Sequence, residues 1–318
     1  MSATDQPLRV AVLGDGPLAR PMLDALTYRT PGAQVVAVAA EGSTPNPSAI
    51  TRAMGAEAVC VAAPVADRAS LIVAALESGI HVCCPIPVAG DLSTLDSLIL
   101  RATETDAIVY APNPLRHWLP LKTLHERRKM VGAPISLFAA HRTTRAITGD
   151  LFTDLALPLL DIALWLVEAE VERVQVMAER LFTGGPQESD SPNGADAALI
   201  ILRFANGVVA TLEVARSLPD DFAQAEEVSV ELLGRDAVLR ANPTNQAITV
   251  TGAGGTLRED WLPSPVVSIV GTFVETIRTG ATAPQSLLDA RWVLPVLEKV
   301  RLAAATGEMV RVGGALRR

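Results

Sequence analysis

The sequence is poor in cysteine, in aromatic residues and in charge. Only three of its 318 residues are cysteines, and the spacing of Cys60, Cys83 and Cys84 fits neither a disulfide framework nor a zinc site. We therefore expect a reducing cytoplasm and no bound metal. Charged residues make up 19% and hydrophobic residues 49%, and this balance excludes a chain that is mainly disordered.

Basic residues and long hydrophobic runs are scarce as well. Lysine and arginine number 27 against 35 acidic residues, so the chain lacks the basic surface that neutralises nucleic-acid phosphates. No apolar stretch reaches the roughly twenty residues of a membrane-spanning helix. The first residues also lack the basic and apolar regions of a signal peptide. We expect a soluble cytoplasmic protein that binds neither nucleic acid nor membranes.

The first third of the chain alternates between short apolar runs and helical segments. A strand at Leu8–Leu13, a helix at Ala19–Tyr28 and a strand at residues 34–40 form a βαβ unit. The alternation continues to Tyr110. This order predicts an α/β fold over residues 1–115, with the doubly wound parallel sheet of a Rossmann dinucleotide-binding domain.

The pattern changes after about residue 114. An apolar helix is predicted at residues 154–169, and strand-like runs separated by Gly, Asn and Asp turns follow it. Two helices close the chain. Residues 116–318 are therefore predicted to form an α+β domain with a largely antiparallel sheet, interrupted by a mobile loop at residues 184–194.

The turn after the first strand carries the pattern of a phosphate-binding loop. Gly14 and Gly16 allow a tight turn and a close backbone approach to a pyrophosphate. The predicted cofactor contacts of this turn are Gly14, Asp15, Gly16, Pro17 and Leu18. The alternative is a turn of purely structural use, and the Asp15 carboxylate opposes phosphate binding unless it points to solvent.

The ribose of a dinucleotide is expected to meet an acidic residue at the end of the second strand. Glu41 is the candidate, and a solvated loop glutamate is the alternative. No arginine or lysine follows Glu41 before Arg52, so a clamp for a 2′-phosphate is not evident. NAD is therefore preferred over NADP, although Ser43 and Thr44 keep that choice open.

These segments together resemble the glucose-fructose oxidoreductase, inositol dehydrogenase and rhizopine-catabolism (Gfo/Idh/MocA) family of NAD(P)-dependent oxidoreductases. VAVLGDGPLA is similar to the family's first turn, and VCVAAPVADRASLIVAALESGIHVCCPIPVAGDL to its strand, Thr-Pro turn, helix and Glu-Lys-Pro strand end. DLALPLLDIALWL resembles the helix that carries the family's aspartate and histidine. FANGVVATLEV, VELLGRDAVL and the last forty residues resemble its second domain.

The resemblance covers nearly the whole chain and implies several properties. It implies an oxidoreductase acting on a small sugar, cyclitol or carbonyl compound, with further cofactor contacts at Ala63, Pro64 and Pro85. It also implies a second domain that serves substrate binding and dimerisation. We expect a homodimer or larger homo-oligomer that forms through the antiparallel sheet.

Two positions depart from the family's chemistry. An alcohol gives up a hydride readily only as its proton is removed, so a base must lie near the reacting hydroxyl. The family uses the lysine of Glu-Lys-Pro and a histidine that follows its aspartate on the helix. Here Pro85 and Ile86 stand at the Glu-Lys pair, and Pro158 stands at the histidine.

The remaining polar residues are the candidates for replacing these groups. Asp154, position 158 and Asp161 would share one stripe of an α-helix, which makes Asp154 a catalytic candidate and Asp161 a substrate contact. The alternative for Asp154 is capping of the helix start. His141 is a second catalytic candidate and Arg116 a substrate contact, each against an ordinary structural role. Arg68, which stands at a family histidine, is interpreted as a solvated residue at a helix start.

Two functions follow from these observations. One is an NAD(P)-dependent oxidoreductase with a rearranged proton relay. The other is a non-catalytic member of the family, in which the dinucleotide site has become a sensor or scaffold site. The fold alone does not decide between them, because function belongs to the site.

Overall fold

The computed structural model describes residues 6–14, 16, 18–39, 54–144, 150–181, 194–222, 224–244, 247–252, 255–260 and 264–313. Within these ranges no helix combines the length and the apolar character needed to cross a bilayer. Glu41 and nearly all of the predicted loop at residues 184–194 lie outside the described residues. The chain divides into two units, Met1–His117 with Pro263–Arg291, and Trp118–Leu262 with Trp292–Arg318.

The strands and helices alternate first and then segregate. The strands are β1 (Leu8–Leu13), β2 (Ala33–Ala39), β3 (Ala58–Val61), β4 (His81–Cys83), β5 (Val109–Tyr110), β6 (Pro134–Thr144), β7 (Val171–Glu179), β8 (Ala197–Phe204), β9 (Val209–Leu218), β10 (Glu226–Gly234), β11 (Val238–Ala241), β12 (Ala247–Gly252), β13 (Gly255–Asp260) and β14 (Val310–Arg311). The α-helices are α1 (Ala19–Tyr28), α2 (Val65–Glu77), α3 (Leu92–Thr103), α4 (Leu119–Arg127), α5 (Leu157–Val167), α6 (Pro265–Thr279) and α7 (Leu287–Thr306). Short 3₁₀ segments occupy Pro114–His117 and Arg128–Val131, and a π-helical segment occupies Phe152–Ala156.

The first unit is built on a parallel sheet with the strand order β2-β1-β3-β4-β5. The apolar runs of β1 and β3 are buried, as strands covered on both faces must be. The predicted Rossmann-type sheet is therefore confirmed. The strand order reverses between β1 and β3, and ligands of open α/β sheets bind beyond the carboxyl ends of the strands at such a point.

Helix α6 belongs to this first unit, although the sequence analysis assigned all of residues 116–318 to the second domain. Its buried side chains, among them Ile269, Val270 and Phe273, join the core formed by β1, α1 and β3. An amphipathic helix can bury its apolar stripe against any complementary core, so its own sequence does not identify its partner. The domain boundary between residues 115 and 116 stays a prediction. In the structure the first unit also includes the later segment Pro263–Arg291, which contains α6.

The second unit contains a seven-stranded sheet with the order β11-β10-β6-β9-β8-β7-β14. Its neighbouring strands are antiparallel except for β6 and β9, which are parallel. The prediction of a largely antiparallel sheet is therefore confirmed. Strands β12 and β13 form a separate hairpin.

The two faces of this sheet differ. Leu137 and Leu212 are buried on the face against which the 152–167 helical segment packs. The opposite face, here called the outer face, carries Phe138 and Leu199 beside Thr211, Glu213, Ser229 and Glu231, and these residues line a groove of about 510 Å³. Phe138 is 50% exposed there. The outer face thus combines apolar and charged side chains in one accessible surface.

Charge pairing crosses three strands of the outer face. The Arg142 guanidinium donates to Glu213 on β9 at 2.7 Å and to Glu227 on β10 at 3.2 Å. Hydrogen bonding to Arg142 lowers the pKa of Glu213, and the same contact raises the pKa of Arg142. These pairs bind β9, β6 and β10 together through their side chains as well as their backbones.

The helix predicted from residue 154 begins earlier and is irregular. The Asp150 carboxylate accepts the N–H groups of Phe152 at 3.2 Å and Thr153 at 3.3 Å, and it pairs with Arg301. The π-helical turn that follows ends at the start of α5, directly before Pro158. Proline has no N–H for the α-helical ladder, and the irregular turn lies immediately before the helix that contains Pro158.

Helix α3 provides a pH-dependent test of capping. Asp91 accepts the N–H of Thr94 at 2.9 Å and the hydroxyls of Ser93 and Thr94 at 2.8 Å, which lowers its pKa to about 2. Because the folded-state pKa lies below that of the unfolded chain, the ionised cap contributes stability above about pH 4 and loses it as the pH falls toward about 2. We predict that Asp91→Ala lowers the melting temperature at neutral pH, and that thermal scans show this difference shrinking over that range.

Asp91→Asn is the matched control, since it keeps a capping oxygen without the titrating group. It should lose less stability at neutral pH than the alanine variant. A difference between wild type and Asp91→Ala that is constant from about pH 4 to about pH 2 would contradict the capping argument.

Candidate functional site

The turn between β1 and α1 packs directly on the turn between β3 and α2. The Gly16 N–H donates to the carbonyl of Ala62 at 3.0 Å, and the Ala62 N–H donates to the carbonyl of Leu13 at 2.7 Å. A Cβ atom on Gly14 would lie 2.5 Å from the backbone nitrogen of Ala63, and one on Gly16 would overlap the Ala62 carbonyl oxygen. Both glycines are therefore needed for the contact between the two turns, in addition to any contact with a ligand.

Helix α1 begins at this turn with an N-terminus suited to an anion. The N-cap residue Leu18 supplies no side-chain cap, and the first turn of α1 contains no acidic residue among the described positions. Backbone N–H groups and the helix dipole favour a phosphate at such an end. Gly14, Gly16 and Leu18 thus fit a dinucleotide pyrophosphate, whereas Asp15 and Pro17 lie outside the described residues and remain predictions, as Glu41 does.

Arg68 connects the turn after β3 to the loop after β4. Its Nε donates to the carbonyl of Ala63 at 2.8 Å, and its Nη1 donates to the carbonyls of Pro85 at 2.9 Å and Pro87 at 2.6 Å. The interpretation of Arg68 as a solvated residue is therefore wrong. Ala63, Pro64 and Pro85, predicted as cofactor contacts, lie at or next to the backbone that this guanidinium holds.

The other polar side chains considered in the first unit, a candidate arginine and two cysteines, have structural surroundings. Arg116 is buried, and its guanidinium lies 3.9 Å from the Asp289 carboxylate. The role of Arg116 as a substrate contact stays a prediction, and the structure shows this residue in an ion pair. The thiols of Cys83 and Cys84 are buried, and desolvation raises the pKa of Cys84 to about 11. A thiol in this state is a poor nucleophile.

A polar cluster interrupts the apolar contact between the sheet and the helical segment of the second unit. His141 on β6 pairs directly with Val214 on β9, so Arg216, two residues further along β9, points to the same face. Thr143 lies two residues after His141, and Glu226 on β10 pairs with it. Asp154 on the π-helical segment accepts from Arg216. The polar cluster consists of His141, Thr143, Asp154, Arg216 and Glu226.

The histidine of this cluster has one occupied and one open nitrogen. His141 Nε2 lies 3.2 Å from Glu226 Oε2, and the histidine is only 5% exposed. Within the described part of the chain, His141 Nδ1, Thr143 Oγ1 and Arg216 Nε are buried without a hydrogen-bond partner. Each such atom costs about 1–3 kcal/mol, so several of them on one face mark a place where ordered water or a polar ligand would supply the hydrogen bonds.

The carboxylates of the predicted helical stripe lie in different surroundings. Asp154 Oδ2 accepts from Arg216 Nη2 at 3.3 Å, and the Asp154 side chain is 43% exposed whereas that of Arg216 is 6% exposed. The Asp150 carboxylate caps the start of the segment, and the capping alternative for Asp154 stays a prediction. Asp161 is buried on α5, and its substrate role stays a prediction. Asp154 lies in a π-helical turn, so the α-helical spacing from which the shared stripe was predicted does not hold there.

Sequence reasoning identified His141 and Asp154 but missed Thr143, Arg216 and Glu226. The alternation along β9 contains a signal for one of them, because Ala210, Leu212 and Val214 point inward and Arg216 follows at the next inward position. A charged residue on an otherwise apolar face marks a site or an ion pair. The partner Glu226 depends on strand register, which the sequence does not specify.

Comparisons with known proteins cover both parts of the chain. Residues 8–112 match the oxidoreductase family model with an NAD-binding Rossmann fold, and residues 128–258 match the GFO/IDH/MocA C-terminal domain. Inositol 2-dehydrogenase 1 of Saccharopolyspora erythraea is 26% identical over 275 residues, which are 78% of each chain. Inositol 2-dehydrogenase of Rubrobacter xylanophilus is 25% identical over 286 residues, 82% of this chain and 80% of the relative.

Solved structures share the fold over nearly the whole chain. GenD2 from gentamicin A biosynthesis, in complex with NAD, superposes with a TM-score of 0.85 at 19% identity and covers 98% of both chains. Myo-inositol 2-dehydrogenase from Lactobacillus plantarum superposes with a TM-score of 0.83 at 16% identity, over 97% of this chain and 100% of the other. At such identities the likeness establishes the fold.

The contact between the two turns yields a test at Gly16. We predict that Gly16→Val abolishes binding of NADH and also lowers the melting temperature, because its side chain would displace the Ala62 backbone as well as the ligand. Fluorescence titration and thermal unfolding measure the two effects. Gly90→Val is the matched control, since a Cβ at exposed Gly90 meets no atom within 4 Å. Unchanged NADH affinity in a folded Gly16→Val protein would remove the cofactor assignment.

Proposed function

The chain belongs to the Gfo/Idh/MocA oxidoreductase family, and from this membership we propose that it is an NAD(P)-dependent dehydrogenase with a relocated base. Its substrate is a small polyhydroxylated compound of the sugar or cyclitol class, or the corresponding carbonyl compound. The inositol dehydrogenase relatives support this substrate class. NAD is the preferred cofactor, with Gly14, Gly16 and Leu18 at its pyrophosphate and Glu41 at its ribose.

The pairing of His141 with Glu226 carries the proposal. A carboxylate at Nε2 favours the tautomer that keeps a proton on Nε2 and leaves the lone pair on Nδ1. Nδ1 is the nitrogen without a partner in the described residues. In activated histidines in general, one ring nitrogen accepts the proton while a carboxylate hydrogen-bonded to the other nitrogen orients the ring.

The polar cluster gives each residue a role in removing the substrate proton. NAD held by Gly14, Gly16 and Leu18 would supply the hydride acceptor. His141 Nδ1 takes the hydroxyl proton, and Glu226 stabilises the imidazolium that results. Thr143 and Arg216 bind other substrate oxygens, and Asp154 orients Arg216 through their ion pair. Asp154 thus keeps a place in the site as the partner of Arg216.

The alternative is a member of the family that binds a dinucleotide without turnover. It is favoured by Pro85, Ile86 and Pro158, which occupy the positions of the family's proton-handling residues. Titration with NADH and NADPH, followed by assays with inositols, aldoses and carbonyl compounds, separates the two functions. Cofactor binding without oxidation or reduction across that panel would favour the sensor or scaffold.

We predict that His141→Ala lowers kcat for the best substrate of that panel by about 10²–10⁴, the usual contribution of a general base. Glu226→Gln should cause a smaller loss, because it keeps a hydrogen-bond acceptor but not the charge that stabilises the imidazolium. The affinity for NADH should stay unchanged in both variants. Steady-state kinetics and cofactor titration measure these effects.

Glu231→Gln is the matched control, because Glu231 lies on the same strand as Glu226 but on the outer face. Its kcat should equal that of wild type. A His141→Ala variant with wild-type turnover would remove His141 from the mechanism. The absence of turnover in the wild-type protein would instead support the non-catalytic alternative.

We also propose that the protein forms a homodimer through the outer face of its second-unit sheet. Phe138, Leu199 and the groove beside them offer apolar surface that a second copy would cover. Charged neighbours such as Glu213 and Arg142 already form an ion pair. A second copy that covers this face would therefore bury paired charges and not an isolated one.

Phe138→Glu tests this assembly. We predict that sedimentation at micromolar concentration shows a dimer or larger species for wild type and a smaller species for Phe138→Glu, because the new carboxylate would be buried without a partner. Leu100→Glu, a change at an exposed leucine on α3, serves as the control and should sediment as wild type does. A wild-type protein that is monomeric under these conditions would reject the interface.

A further inference from the structure

Three backbone carbonyls accept hydrogen bonds from one side chain at the carboxyl edge of the parallel sheet. Arg68 donates from Nε to Ala63 and from Nη1 to Pro85 and Pro87, with distances between 2.6 and 2.9 Å. Pro85 and Pro87 flank Ile86, the position at which the family has its lysine. The guanidinium therefore holds the backbone on both sides of the altered position.

The 85–87 loop has few donors of its own. Pro85 and Pro87 lack an N–H, and the Ile86 N–H donates to the carbonyl of Pro112 on the side of β5. On the other side, the pairing of β3 with β4 extends to Cys60 and Cys83. Arg68 bridges the backbone segments that follow β3 and β4, beyond the point where these two strands end.

These bonds continue a series that begins at the phosphate-binding turn. The Gly16 N–H is bonded to Ala62, and the next carbonyl along the chain, that of Ala63, accepts from Arg68. The series thus runs from the end of β1 through the end of β3 to the end of β4. This is the edge at which an open α/β sheet with this strand order binds its ligand.

We propose that Arg68 is a positioning residue for the cofactor, which sets the distance between the phosphate-binding turn and the 85–87 loop. This inference rests on the proposed function. The planar guanidinium presents several N–H donors in a fixed geometry, so it defines the spacing of three acceptors at once. A lysine has a compact ammonium on a flexible stem and would hold the same loop less rigidly.

The test compares a whole dinucleotide with a fragment of it in the full-length protein. ADP contains the adenosine and the pyrophosphate, which the glycine turn and Glu41 are proposed to bind, but it lacks the nicotinamide half. In Arg68→Ala we expect the Kd for NADH to rise about tenfold or more, while the Kd for ADP stays within about twofold of wild type. Calorimetric titration measures both, and thermal unfolding confirms that the variant is folded.

Two further variants complete the design. Arg68→Lys should give an intermediate Kd for NADH, and it carries the test if the alanine variant does not fold. Arg101→Ala removes another arginine of the same unit, one whose exposed side chain on α3 pairs with Glu77 on α2, and it should leave both Kd values unchanged.

The outcomes separate this inference from the proposed function. Equal losses of ADP and NADH affinity in Arg68→Ala would overturn the positioning role, because they would indicate a general loss of structure. Unchanged NADH affinity would overturn it as well. A wild-type protein that binds neither NADH nor ADP would overturn the proposed function and this inference together.

Discussion

The close approach of two backbone turns at the carboxyl edge of the parallel sheet is the constraint on which the first unit depends. The Gly16 N–H reaches the Ala62 carbonyl only because no Cβ stands between them. This contact fixes the start of α1 relative to β3, and Arg68 extends the same backbone arrangement to the loop after β4. The glycines of this turn, proposed to receive a phosphate, are thus also packing elements, and both roles require the same residue type.

The polar cluster of the second unit needs a different explanation from stability. An arginine buried against an aspartate and a histidine buried beside a glutamate pay desolvation that apolar side chains of similar size would avoid. The unpartnered atoms of His141, Thr143 and Arg216 add to that cost. A helix packed on a sheet would be more stable with leucine and valine at these positions. The cluster is better explained by a ligand that supplies the missing hydrogen bonds.

The sequence predicted the elements more successfully than their partners. Buried apolar runs and period-two alternation are local properties, so β1, β3 and most strands of the second sheet could be read directly. The return of α6 to the first unit could not, because an apolar stripe does not specify the core that covers it. Arg68 was misread for a related reason, since its acceptors lie on a loop that only the folded sheet brings near. Glu226 joined His141 through strand register, which depends on the whole sheet.

Pro158 and Asp154 lie on one continuous helical segment, which is π-helical over Phe152–Ala156 and α-helical from Leu157. An α-helical turn at this position would need an N–H that proline lacks, and the preceding segment is π-helical instead. Asp154 lies on that wider turn and forms an ion pair with Arg216 on β9. The carboxylate therefore orients a group on the sheet, next to the strand that carries His141. The irregular turn before Pro158 therefore carries the carboxylate that pairs with the sheet, which connects the irregularity of the helix to the polar cluster.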